Sequence, residues 1–213
     1  MITVAALFVQ KDGCYWNLPG VDPWDEGRDA RKYSGPYPIV AHPPCQRWGR
    51  YSENHPIKGR IARTGNDGGC FAHALWAVRQ FGGVIEHPKD SKAFVGADSY
   101  NLGRPSREGW TRSWDGIGWI CQVEQGHYGH FSRKPTWLYA ISCNLPSLRW
   151  GRSEQRLPAY AIERYGYEKA RRIGVMAAVG GKDKTRIREA TPAPFRDILI
   201  SIARGLPAEK EAA

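Results

Sequence analysis

Two side chains stand out for the chemistry their surroundings would allow. Cys45 closes the stretch Pro38-Ile39-Val40-Ala41-His42-Pro43-Pro44-Cys45-Gln46, in which a short apolar run feeds a double-proline turn. The prolines fix φ near −65° and bias the residues before them to extended geometry, so the thiol is aimed by a stiff turn. A thiol reacts as its thiolate, and the next stretch carries Arg47, Arg50, Lys58, Arg60 and Arg63, charges expected to favour the thiolate and to attract phosphates. The second side chain is Glu86, a carboxylate in Val84-Ile85-Glu86-His87-Pro88, again where an apolar run meets a proline. Earlier in the chain, Asp22-Pro23-Trp24 pairs an acid able to accept hydrogen bonds from a ribose with an indole able to stack on a purine. Each motif has a plainer structural reading beside the chemical one: a turn with a buried cysteine, a solvated basic loop, a surface turn with a packed tryptophan.

The elements that must position these groups follow from pattern. Residues 2–9 are β-branched and aliphatic and end in turn chemistry at 10–13, which predicts a buried strand. A loop over 14–20, a strand end at 21–25 and one or two helical turns over 26–33 come next. A strand at 37–41 carries the cysteine turn. Asn66 or Asp67 can cap a helix over 71–80, where Phe71, Leu75 and Val78 share a face and Gly82-Gly83 end it. The strand 84–88 completes a strand–helix–strand unit. A right-handed crossover makes its strands parallel and places Cys45 and Glu86 at one carboxyl edge, where open α/β sheets bind ligands. Residues 89–118 read as a long loop, and 119–125 with 136–141 as a hairpin with a basic, aromatic tip. The stretch 142–190 is mixed, with a helix expected over 160–172 and a break at Gly180-Gly181. Pro192 opens a last helix to residue 204, striped by Phe195, Ile198, Leu199 and Ile202. A single α/β domain over 1–205 and a frayed tail over 206–213 are expected.

Composition narrows the partners. The 213 residues carry 31 Lys+Arg against 21 Asp+Glu, a net charge of +10, which favours a polyanion, with nucleic acid first. Nine Trp and ten Tyr add surfaces on which bases can stack, although most aromatics serve a core. Five cysteines, odd in number and without a CxxC pair, argue against a disulfide framework or a zinc ribbon and fit a reducing cytoplasm. The apolar start lacks a basic leader and is too short to span a bilayer, so no membrane partner is expected. A metal site built from His42, Cys45, Cys70, His73, His87, His127 and His130 is a separate possibility, resting on little more than the Cys70-x-x-His73 pair.

Taken in order, the motifs resemble those of a compact, phage-type cytosine-C5 DNA methyltransferase. Pro43-Pro44-Cys45-Gln46 is similar to that family's nucleophile turn, and Glu86 in Ile-Glu-His-Pro to the Glu of its Glu-Asn-Val motif. Tyr128-Gly129 through Leu138 resembles the Tyr-Gly…Gln-x-Arg-x-Arg hairpin. Asp22-Pro23-Trp24 resembles the adenosine-holding pair, and Ala190 through Arg196 the motif that leads the last helix back to the cofactor side. The resemblance implies a Rossmann-like, methyltransferase-type, mostly parallel sheet with a C-terminal-side hairpin and helices on both faces. It implies S-adenosylmethionine held by Phe8, Asp22, Trp24, Pro43 and Thr191, and DNA, as a duplex with a flipped base or as a single strand, contacted by His42, Pro44, Gln46, His87, Arg133 and Lys134. Its chemistry would be attack of Cys45 on C6 of cytosine while a protonated Glu86 bonds N3. The sequence departs from the family in three places. No glycine loop follows the first strand, and a helix is missing there. The hairpin arginines fall on Lys134 and Thr136, with Ser132 at the Gln position. The insert is short for sequence readout. A DNA-binding or other C5-modifying relative without the methyl donor, serving anti-restriction or base modification, therefore stands beside the methyltransferase reading, with a zinc protein as the remaining alternative.

Overall fold

The computed structural model describes residues 1, 3–49, 52, 63–173 and 184–205. At its centre lie runs of small and branched apolar residues, β1 (Val4–Leu7) and β3 (Ile39–Ala41), every residue of which is buried. Such runs suit strands covered on both faces. They pair in parallel with each other and with β2 (Val21–Trp24) and β4 (Gly83–Pro88), in the registers Ala6↔Pro23, Ala6↔Val40 and Val40↔Val84. Beyond β4 the sheet turns antiparallel, through β7 (Pro135–Ile141), β6 (Trp119–Glu124) and the short β5 (Thr111–Arg112), giving the order β2-β1-β3-β4-β7-β6-β5. The expectation of a mostly parallel sheet therefore holds for its first four strands alone. The second arm of the hairpin lies against β4, and a hairpin's two arms must run in opposite directions.

Side-chain alternation assigns the two faces. Ala5, Leu7, Ile39, Ala41 and Ile85 pack with α1 (Cys70–Phe81), whereas Val4, Ala6, Val40 and Val84 pack with α5 (Ala193–Arg204) through Phe195, Leu199 and Ile202. The cap of α1 is supplied by Asp67, whose carboxylate accepts from Gly69 N (2.9 Å) and Phe71 N (2.9 Å). At its other end Gly83 has φ 120, and a Cβ there would lie 2.0 Å from the Ile39 carbonyl oxygen, so only glycine lets β4 enter the sheet beside β3.

The segment 8–20 between β1 and β2 is a series of turns without a helix, and α5, from the far end of the chain, covers the sheet face beside β1. The long 89–118 loop is fastened by Asp115, which accepts from Arg79 (2.8 Å), Tyr139 Oη (2.8 Å) and Ile117 N (2.9 Å). The helix expected over 160–172 is two, α2 (Ala159–Tyr165) and α3 (Tyr167–Ile173), because Gly166 at φ 72 caps the first. Their own small core joins Ala161 and Ala170. A last short helix, α4 (Lys184–Glu189), precedes α5. In place of helical turns over 26–33 there is a single 3-10 turn, Ala30–Lys32. The Gly180-Gly181 break, the tail beyond 205 and all of the basic stretch 50–62 except Ser52 lie outside the described residues. No helix among the described residues is long and apolar enough to cross a membrane.

Candidate active site

Parallel strands β3 and β4 deliver their ends to the same edge of the sheet, and both motifs lie there. Leaving β3, the backbone N–H of His42 still bonds Leu7 O (3.0 Å), and the Cys45 carbonyl accepts from Trp48 N (3.0 Å) and Gly49 N (3.1 Å). Trp48 is 2% exposed and its indole N–H donates to Asp67 (2.8 Å), the carboxylate that caps α1. The cysteine turn is thus fixed at both ends by elements packed in the core.

Glu86, the fourth residue of β4, has a side chain 12% exposed. One carboxylate oxygen meets His42 Nδ1 (2.9 Å) and the other accepts from Gln125 Nε2 (3.2 Å). The far nitrogen of His42 meets Tyr15 Oη (2.8 Å), from the 8–20 turns. Gln125, fully buried at the start of the hairpin tip, also donates to Thr136 Oγ1 (3.0 Å), whose hydroxyl donates to Lys134 O (3.0 Å). Lys134 has φ 41 and sends Nζ to the carbonyls of Glu189 (2.9 Å) and Ala190 (2.8 Å), in the turn before α5. Five separate segments of the chain meet in this network.

The charges of this network also act on Cys45. Burial, then the charges of Glu86 and Glu189, push its thiol up to about 11, against a smaller opposing effect of Lys134. Burial lowers the Lys134 pKa, while Glu86, Glu189, Cys45 and Cys14 raise it. Burial alone would raise the Glu86 pKa, but the hydrogen bond and charge of His42, with Lys134 and His87 adding to them, hold it at about 2. Among the described residues, burial and the charges of Glu86 and Glu189 act against the thiolate, while Arg50, Lys58 and Arg60, expected to favour it, lie outside the described residues. In the resting protein Glu86 is a carboxylate that accepts from His42, so the proton expected on it with a bound cytosine has to be supplied there.

The remaining expected residues divide. His42 and Lys134 belong to the site, and Pro44 and Gln46 are exposed on either side of Cys45. His87 does not face it: the ring is 1% exposed, bonds Ser91 Oγ (2.7 Å) and meets Phe71 edge-on (5.2 Å), and burial lowers its pKa to about 4 despite the nearby carbonyls of Pro44 and Pro43. Arg133 points to the insert, donating to Ser153 O (3.0 Å). On the expected donor side, Asp22 and Trp24 do lie together, with the indole N–H on the carboxylate (2.7 Å), but Arg28 bonds Asp22 (2.6 Å) and lies over the indole face (3.9 Å). Phe8 follows β1 at φ 58 and packs into the α1-side core, Pro43 is buried, and Thr191 sits half-buried between the Lys134-bound carbonyls and α5. No three His, Cys, Asp or Glu side chains among the described residues converge as metal ligands. An open cleft of about 370 Å³, lined by Arg107, Glu108, Glu124, Trp150, Gly151 and Arg152, contains none of the expected site residues.

Tyr15 and Gln125 carried no signal in the sequence. A tyrosine among turns and a glutamine at a hairpin tip are ordinary surface residues until the fold buries them. Comparison with protein-family models, with curated proteins and with solved structures finds no match.

Proposed function

We propose that this protein acts on C5 of cytosine in DNA through covalent addition of Cys45 to C6 of the ring, with Glu86 on the N3/N4 edge. The observation that carries this reading is that the cysteine turn and Glu86 lie at the carboxyl ends of adjacent parallel strands, with His42 of that turn bonded to the Glu86 carboxylate and the charge of Glu86 acting on the Cys45 thiol. The strand order supports it too, since an antiparallel strand inserted beside the last parallel one fits a methyltransferase-like sheet. Net charge of +10 suits a polyanionic substrate. A base inside a duplex must be flipped out, at a cost of roughly a few kcal/mol, and a pyrimidine already unpaired avoids that cost. Addition to C6 makes C5 nucleophilic, so C5 exchanges its hydrogen with solvent whatever group is later attached there.

The residues present do not fit S-adenosylmethionine as they stand. The turns after β1 offer no glycine-lined backbone approach, and Arg28 fills both the face of Trp24 and the carboxylate of Asp22. The test is uptake of deuterium at cytosine C5 of single-stranded and duplex oligonucleotides in D2O, read by mass spectrometry. Uptake by the wild type and its loss in Cys45→Ser support the reading, and equal uptake by both rejects the nucleophile. Calorimetric titration with S-adenosylmethionine separates the two versions: tight binding returns the protein to methyl transfer, and no heat places it among C5-acting proteins that use another partner.

A further inference from the structure

The network around Glu86 is built from groups of uncommon kind. A hydrogen bond between two fixed partners breaks when a proton moves, because a carboxylate only accepts and an ammonium only donates. Tyr15 Oη, 2.8 Å from His42 Nε2, is a hydroxyl that can do either. It accepts Nε2–H from an imidazolium and equally from the neutral ring left when Nδ1 gives up its proton, so this bond outlasts the transfer. At the other end Gln125 presents Nε2 to Glu86, while its Oε1 is buried with no hydrogen-bond partner. Turning that amide over offers Oε1 to a protonated Glu86 and to the Thr136 hydroxyl and leaves Nε2 where Oε1 now lies unpartnered, so Gln125 can follow the charge of Glu86.

We propose that His42, as its imidazolium, is the proton store of this site: it charges Glu86 when a ring is bound, with Tyr15 holding the ring through Nε2–H before and after the transfer and Gln125 holding the carboxylate. The inference rests on the pyrimidine-addition reading for its substrate, and on the hydrogen-bond geometry for the relay itself. In the step, the Cys45 sulfur forms a bond to C6. The C5=C6 π pair moves to C5=C4, and the C4=N3 pair becomes a lone pair on N3. N3 takes the proton that passes from Nδ1 of the His42 imidazolium through Glu86, leaving a neutral ring with its Nε2–H on Tyr15. The thiol proton leaves to water, so the count is unchanged when the imidazole is recharged. The low resting pKa of Glu86 agrees with a proton kept elsewhere until it is needed. Among the described residues, the other charged or titratable groups acting on these residues are Cys45 on its turn, Cys14 beside Tyr15, His87 on β4, Lys134 on the hairpin, Glu189 before α5, and Arg196 and Asp197 on α5.

The experiment uses the full chain with 13C-labelled glutamate. Glu86 is assigned by its loss in Glu86→Gln and titrated by NMR in wild type, in His42→Asn, which keeps a donor near the Nδ1 position without a titrating proton, and in Tyr15→Phe. The Glu86 midpoint should rise from about 2 by roughly one pH unit or more in His42→Asn. C5 deuterium uptake near pH 7 should fall by roughly 10²–10⁴-fold in that variant and recover toward low pH, where solvent protonates Glu86 directly. Tyr15→Phe, which keeps the buried ring, should shift the pH profile without removing uptake. An unchanged Glu86 midpoint in His42→Asn overturns the relay whatever the uptake assay gives. A shifted midpoint with no uptake by the wild type supports the relay and rejects the pyrimidine reading instead.

Discussion

Protonating Glu86 should cost the fold a measurable share of its stability. Its pKa is about 2 in the folded protein against an ordinary value of 4.5. A folded pKa below the unfolded one means that the contribution is fully present above pH 4.5 and is lost as pH falls through 2. The difference of two and a half units corresponds to about 3 kcal/mol, of which about 2 kcal/mol is gone by pH 3. With the side chain 12% exposed, solvent screens little of this. Other carboxylates titrate over the same range, Asp115 among them, so the quantity to measure is the stability difference between wild type and Glu86→Gln, by urea denaturation from pH 7 to pH 3. The wild type should lose about 2 kcal/mol relative to Glu86→Gln over that interval. A constant offset would refute the reasoning, since it would mean that Glu86 titrates alike in the folded and unfolded chains.

Three further outcomes follow from the same contacts. Lys134→Met removes the bonds to Glu189 O and Ala190 O and the cation facing Cys45; it should lower stability by about 1–3 kcal/mol and slow alkylation of Cys45 at pH 8, read peptide by peptide by mass spectrometry. Unchanged alkylation would place Lys134 away from the sulfur. Asp67→Ala frees the α1 cap and Trp48 together, and should cost about 1–3 kcal/mol in urea denaturation while raising protease sensitivity of the cysteine turn. Gly83→Ala drives a Cβ into the Ile39 carbonyl, and no cooperative unfolding transition is expected from it. A stable, cooperative variant would show that β3 and β4 are not spaced as described.

The strand–helix–strand unit bearing Cys45 and Glu86 was legible because its signals are local: β-branched runs, an Asp67 cap, a Gly82-Gly83 stop and two proline turns. Even the cap had a non-local part, since the carboxylate that opens α1 also anchors Trp48 near the thiol. Charge at the site was not legible. Among the described residues, burial and then Glu86 and Glu189, with Lys134 opposing them, act on the thiol, and these groups are brought in by β4, the turn before α5 and the hairpin. Asp22 and Trp24 read as an open ligand pair because nothing in their own triplet reveals that Arg28 returns to cover both. Likewise the hairpin was visible in alternation and turn residues, while its docking against β4 depends on long-range pairing such as Ile85↔Tyr139.

The claim on which everything else depends is that Cys45 and Glu86 take hold of one pyrimidine. A 5-azacytosine oligonucleotide, whose ring nitrogen at position 5 makes C6 more electrophilic and the adduct longer-lived, tests it without any donor, by intact and peptide mass. The expected result is a one-to-one covalent complex mapped to Cys45, absent in Cys45→Ala and much slower to form in Glu86→Gln. An adduct of equal yield in Cys45→Ala, or one carried by Cys14 or Cys143, would contradict the account.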